Sequence, residues 1–153
     1  MTTVPVFSVL ITLMMKNLDA AAFYRQVSDR IRNEQLAGLI TDMSEQYRAM
    51  GLELRKTLFP VRSEIAIPPQ GISALKFYRE QLISAIYEQD CQLIATLILD
   101  AESRDTKWYA MSRHHQDLSN SLSEILEGHY KDTLRFISEL QKISGKTPAM
   151  KVA

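Results

Sequence analysis

Several residue types that organise other classes of protein are scarce in this chain. It has one cysteine, Cys91, so it cannot form an internal disulfide, and its fold must be held by packing. Its 18 lysines and arginines are matched by 18 aspartates and glutamates, so it lacks the basic surplus that binds nucleic acid or anionic membranes. The apolar run from Val6 to Met15 is too short to span a bilayer and lacks the basic segment that opens a signal peptide. These absences predict a cytoplasmic protein with no nucleic-acid and no membrane partner.

Glycine and proline are also scarce, with five of each in 153 residues. Only Gly38 and Gly51 interrupt the stretch from Pro5 to Pro60, and neither residue type occurs between Gly71 and Gly128. Such stretches favour helix, and apolar residues recur within them at spacings of three and four. The pattern predicts helices at about Pro5–Ile31, Glu34–Leu58, Ile72–Glu88, Cys91–Ser112 and Leu118–Ile143, with Asn33 and Asp90 as N-caps.

The connection between the second and third helices is the one long loop, and it contains Pro60, Pro68 and Pro69. A stiff loop followed by a short helix can carry the chain back along the molecule, which a simple up-down-up-down bundle would not need. We therefore expect an all-α fold: an antiparallel four-helix bundle, up-down-down-up, with a short extra crossover helix. Gly145 should end the last helix. One domain should then cover residues 1–145, with a disordered tail at 146–153.

The sequence resembles the ferritin-like superfamily and, within it, an uncharacterised bacterial family of four-helix bundles. The resemblance covers roughly residues 7 to 143 and depends on the spacing of many weak matches. These are Leu18-Asp19, Phe23-Tyr24-Arg25, Leu36, the region from Gln46 to Leu54, Ser73-Ala74-Leu75, Asp90, Ala101-Glu102 and Tyr109. The resemblance implies a ferritin-like bundle that is often a dimer, and it implies no particular activity.

A di-iron centre in such a bundle needs two glutamates and two Glu-x-x-His units that face one another in the core. The second helix offers only Glu45, with Arg48 in place of the histidine, and Glu45 lies on the side away from the apolar stripe. The stripe itself carries methionine and tyrosine, which do not suit a hard cation. The sequence therefore predicts no complete di-iron site. The candidates for a reduced iron or manganese site are Glu102, His129, Asp105, Asp132 and Asp19.

We favour a different role for the polar residues that fall on or beside the apolar stripes. Buried polar groups must be paired, and a paired set can fix the register of neighbouring helices. The sequence thus predicts a buried cluster of Glu102, Tyr109, His129 and Tyr47, in which His129 bonds to Glu102 or Tyr109. This interpretation includes no cofactor and no catalytic residue, and it treats Trp108 as a core aromatic.

Three functions remain open from the sequence. The first is a non-enzymatic bundle that acts by association, as a homodimer, because the third helix is apolar on more than one face. The second is a metal-dependent oxidoreductase or metal-storage protein with a reduced ligand set. The third is a binder of a small hydrophobic ligand in a core rich in methionine, at Met14, Met15, Met43 and Met50.

Overall fold

The computed structural model describes residues 6–58, 73–113, 115 and 117–145. These residues form five α-helices and no strand, so the described chain is all-α. The helices are α1 Val6–Ser28, α2 Glu34–Leu58, α3 Leu75–Tyr87, α4 Cys91–Ser112 and α5 Asn120–Ser144. The bounds of α2 are those predicted, whereas α1 ends three residues before the predicted end. The predicted loop at 60–71 and the predicted tail at 146–153 lie outside the described residues.

Local capping explains several helix ends. The Asn33 carboxamide oxygen accepts a hydrogen bond from the Leu36 amide at 3.0 Å, and the Asp90 carboxylate accepts one from the Leu93 amide at 3.1 Å. Ser119 caps α5 in the same way, so that helix begins two residues after the predicted start. Gly145 ends α5 with a left-handed φ of 69°, a conformation that glycine adopts without strain.

The four longer helices pack in antiparallel pairs. Residue contacts give the directions: Ser44 of α2 donates to the Ala21 carbonyl of α1, and Gly51 lies beside Leu18. Likewise, α4 and α5 meet through Tyr109 with His129 near one end and Gln92 with Ser144 near the other. Helices α1 and α2 therefore form one helical hairpin, and α4 and α5 form another.

The two hairpins also pack against each other. Between α1 and α4, Asn17 contacts Tyr109 and Tyr24 contacts Glu102, so these helices are antiparallel. Between α2 and α5, Glu53 contacts His129 and Asp42 contacts Arg135, so these are antiparallel too. Each longer helix thus lies between two antiparallel neighbours, and α3 packs against α4.

Most of the predicted apolar stripes are buried in this arrangement. On α2 the buried side chains include Leu36, Ile40, Met43, Tyr47, Met50 and Leu54. Trp108 is 44% exposed, so its interpretation as a core aromatic was wrong. Its neighbour Tyr109 takes the inward position on α4, which turns Trp108 toward a groove beside the start of α3. Of the described helices, none combines the length and the hydropathy that a membrane span requires.

Candidate functional site

The centre of the helical core contains a buried carboxylate, Glu102 of α4. Its two oxygens are each hydrogen-bonded by a tyrosine: the Tyr24 hydroxyl donates to Oε1, and the Tyr47 hydroxyl donates to Oε2. Burial raises the pKa of Glu102, while the Lys16 ammonium and the two hydroxyl donors oppose that rise. Three helices, α1, α2 and α4, therefore meet at one acid.

The two tyrosines are held as hydrogen-bond donors. Their rings are stacked with centroids 6.0 Å apart, and both side chains are fully buried. Burial, together with the nearby Glu102 charge, raises the pKa of Tyr24 and Tyr47 well above the usual value for a phenol. Both hydroxyls consequently stay protonated through the physiological range.

Lys16 of α1 lies in the same core and is only 1% exposed. Its Nζ lies 4.4 Å from the centroid of the Tyr47 ring and 5.6 Å from that of Tyr109, and it donates to Asn17 Oδ1 at 3.4 Å. In the described part of the chain it makes no direct ion pair with Glu102. Tyr47 links the two charges, because its ring faces the ammonium while its hydroxyl donates to the carboxylate.

A second hydrogen-bonded arm runs from this core to the surface. Asn17 Nδ2 donates to the Tyr109 hydroxyl, which lies 3.2 Å from His129 Nδ1, and His129 Nε2 lies 2.8 Å from Glu53 Oε1. Since the Tyr109 oxygen accepts from Asn17, its own proton is available for His129 Nδ1. The other ring nitrogen then carries the proton that bonds to Glu53, which assigns a neutral Nε2–H tautomer.

The chemical environment agrees with a neutral imidazole. Burial lowers the pKa of His129, and the hydrogen bond and charge of Glu53 oppose that effect. Glu53 is the exposed end of the arm, with a side chain that is 52% accessible. It borders a shallow pocket of about 210 Å³, whose other walls include Gln46, Met50, His129 and Asp132.

Two of the remaining candidate acids hold the start of α3. The Asp105 carboxylate accepts hydrogen bonds from Ser73 Oγ at 2.8 Å and from the Ala74 amide at 3.0 Å. Asp19 is bonded by the Ser73 backbone, and burial raises its pKa. These carboxylates satisfy backbone and hydroxyl donors at a helix N-terminus, where negative charge is stabilising.

The five candidate metal ligands therefore have separate roles. Glu102 and His129 belong to the core network, Asp105 and Asp19 hold α3, and Asp132 lines the pocket. Within residues 6–58, 73–113, 115 and 117–145, no three acidic, histidine or cysteine side chains converge as they would around a metal ion. The core also does not fit a di-iron pair, because tyrosines engage both Glu102 oxygens and an ammonium group lies in the same space.

The four residues of the predicted polar cluster lie in two hydrogen-bonded pairs, with the Lys16 ammonium between the two. His129 bonds to Tyr109, one of its two predicted partners, and Tyr47 bonds to Glu102. Sequence reasoning missed Lys16, Asn17, Tyr24 and Glu53. A signal was present for two of them, since Asn17 and Tyr24 continue the apolar stripe of Met14 and Ala21 at helical spacing.

Comparison with known proteins finds no match: no family model, no curated protein and no solved structure is significantly similar to this chain.

Proposed function

We propose that this protein is a ferritin-like bundle that acts by pairing with a second copy of itself, without a di-metal centre. The helix directions support the ferritin-like part of the proposal. Because α1 is antiparallel to both α2 and α4, the latter two helices run the same way, and α5 runs with α1. That order is up-down-down-up, and in the chain α3 connects α2 to α4, which run in the same direction.

The observation that carries the association proposal is the outer face of α3. The inner face of this helix buries Leu75, Leu82, Ala85 and Ile86. The outer face carries Phe77, Ile83 and Tyr87, which are 71%, 51% and 87% exposed. Single exposed apolar residues are ordinary on a protein surface, but three on a helix of 13 residues form a patch of the kind that marks interaction sites.

The sequence of this face suits a second copy. Its central positions are Phe77, Glu80, Ser84 and Tyr87, which follow one another at intervals of three, four and three residues. This spacing is symmetric about its midpoint, so an antiparallel pair of α3 helices would place Phe77 against the partner's Tyr87 twice. Isologous contacts of this kind are the usual basis of twofold dimers. Antiparallel helices also oppose their dipoles favourably.

Sedimentation equilibrium of the full chain over a wide concentration range tests the proposal. We expect a reversible dimer that Tyr87→Ser weakens about 30-fold or more, since buried aromatic anchors at interfaces are worth ~2 kcal/mol. The matched control is Leu52→Ser, which removes a 41% exposed apolar side chain from α2 and should leave the dimer unchanged. A wild-type chain that stays monomeric at millimolar concentration contradicts the proposal.

A metal-dependent role has less support from the contacts. It would require Asp132 to join His129 and Glu53 at the pocket, because Glu102 is already engaged by two hydroxyl donors. Elemental analysis of protein purified without chelator separates the two roles. Stoichiometric iron or manganese that is lost in His129→Gln would replace the association proposal with a metal-dependent one.

A further inference from the structure

The Lys16 ammonium has an unusual set of neighbours for a buried charge. It faces the ring of Tyr47 at 4.4 Å and the ring of Tyr109 at 5.6 Å. Among the described residues, its hydrogen-bond acceptor is the Asn17 carboxamide oxygen. The Glu102 carboxylate lies beyond Tyr47 and interacts with Lys16 through its charge. Burying an ammonium group without compensation is costly, so these neighbours must replace the water it has lost.

Aromatic faces, a carbonyl-type oxygen and a nearby carboxylate are the groups that proteins use to bind ligands that carry an ammonium group. Ring faces attract the cation through their quadrupole, and the attraction grows when water is excluded. The hydroxyls of Tyr24 and Tyr47 both donate to Glu102, which fixes the position of the negative charge. The neighbours of Lys16 therefore form a site that is organised for a cation independently of the lysine stem.

We propose that Tyr47, Tyr109, Asn17 and Glu102 form an ammonium-binding cage, which the chain fills with its own Lys16 and which accepts a free primary alkylammonium ion when that side chain is shortened. Lys16 is then a covalently attached ligand of this cage. The cation that neutralises the core acid is an ammonium group supplied by the chain itself.

A surface groove adjoins the lysine that fills the cage. A groove of about 490 Å³ is lined by Thr12, Ala74, Phe77 and Trp108, and Lys16 forms part of its wall. A short linear amine is narrow enough to follow the space that the lysine stem leaves. Trp108 is the single tryptophan of the chain, so its fluorescence reports on events in the groove.

The first experiment uses Lys16→Ala and n-propylammonium chloride, because that ion has the three carbons and the nitrogen that the substitution removes. We expect the variant to unfold at a lower temperature than the wild type. Propylammonium should restore its midpoint saturably, with a Kd on the order of 1 mM for a ligand of this size. Sodium chloride at equal ionic strength and neutral 1-propanol should not restore it, and the wild-type midpoint should not change.

The carboxylate gives a matched control. In Lys16→Ala combined with Glu102→Gln, the side chain at position 102 keeps its size but loses its charge, and one of its two acceptor atoms becomes a donor. Rescue by propylammonium should therefore weaken at least tenfold. Equal stabilisation of the variant by propylammonium and 1-propanol, or equal stabilisation of wild type and variant by propylammonium, would overturn the proposal.

A second measurement decides the matter if Lys16→Ala does not fold. Lys16→Met keeps the length of the stem and removes the charge. Its effect on the urea midpoint is compared in the wild-type and Glu102→Gln backgrounds. A smaller effect in the Glu102→Gln background supports the cage, whereas strictly additive effects refute it, because the two charges would then be independent.

Discussion

Helices α1 and α2 approach each other closely at Gly51, and this contact gives a quantitative prediction. A Cβ atom at position 51 would lie 2.7 Å from both Cγ and Cδ2 of Leu18, and 3.3 Å from the Leu18 backbone nitrogen. The side-chain atoms could move only if Leu18 changed its rotamer or if α1 moved away. The backbone nitrogen cannot move without the helix. Gly51→Ala should therefore overpack the interface between the two helices.

Two opposing effects set the magnitude. Alanine is favoured over glycine inside a helix by about 1 kcal/mol. Overpacking a well-filled core costs about 1–3 kcal/mol. The free energy of unfolding should fall by up to ~2 kcal/mol, which lowers the melting temperature by about 2–4 °C for each kcal/mol in a chain of this size.

The chain provides matched controls at two other helical glycines. A Cβ atom at Gly38 or at Gly128 would meet no atom within 4 Å. Gly38→Ala and Gly128→Ala should each stabilise the protein by about 0.5–1 kcal/mol. Urea denaturation followed by circular dichroism measures all three variants, and the difference between Gly51→Ala and Gly38→Ala isolates the overpacking cost. If Gly51→Ala is as stable as Gly38→Ala, the close contact with Leu18 is not a constraint and the reasoning fails.

Three further predictions concern the core network and one helix end. Tyr24→Phe removes a donor from the buried Glu102 carboxylate and should cost about 1–3 kcal/mol in urea denaturation. Tyr87→Phe keeps the aromatic ring that the proposed dimer contacts and removes a hydroxyl that is exposed in the single chain, so it should stay within ~0.5 kcal/mol. Equal effects would mean that the Tyr24 hydroxyl does not support the acid. The folded-state pKa of His129 lies below its ordinary value of 6.5. The unfolded chain therefore binds more protons at this residue than the folded chain does. The free energy of unfolding should decline as the pH falls from about 6.5 toward the folded pKa. Titrating the stability difference between wild type and His129→Gln checks the sign, and a difference that grows with acidification contradicts it. Gly145→Ala places a side chain on a left-handed residue and should cost about 1 kcal/mol, which thermal unfolding measures; an unchanged midpoint would show that the end of α5 frays without cost.

The helices could be predicted from sequence where the determining interactions are local. Asn33 and Asp90 cap their own helices, and Gly145 ends one, so each boundary depends on residues a few positions away. The start of α3 could not be predicted in this way. The Ala74 amide is satisfied by Asp105, a residue of α4 that is distant in sequence, and helix α3 begins at Leu75 instead of the predicted Ile72.

The candidate site was predictable in part for a related reason. Glu102, Tyr109, His129 and Tyr47 were identified because polar residues on an apolar stripe must be buried and paired. Lys16 was missed because lysine is almost always exposed, and only the packing of α1 against α2 and α4 shows that its ammonium faces two rings. Glu53 was missed because it lies on the exposed side of α2, and its role depends on a histidine from another helix.

The direction of the hydrogen bonds suggests why this core is polar at all. Donors on α1 and α2 point at one acid on α4. In the second arm, Asn17 donates to Tyr109, Tyr109 to His129 and His129 to Glu53. A shift of α1 by one helical turn would move Tyr24 about 5.4 Å along the axis and leave a Glu102 oxygen buried without a donor. An apolar core would tolerate such a shift better, since hydrophobic contacts are not directional. The network therefore selects one register of the four longer helices. It does so with side chains alone and without a bound metal ion, so a chelator should not affect stability. A thermal midpoint that falls on addition of EDTA would contradict this account.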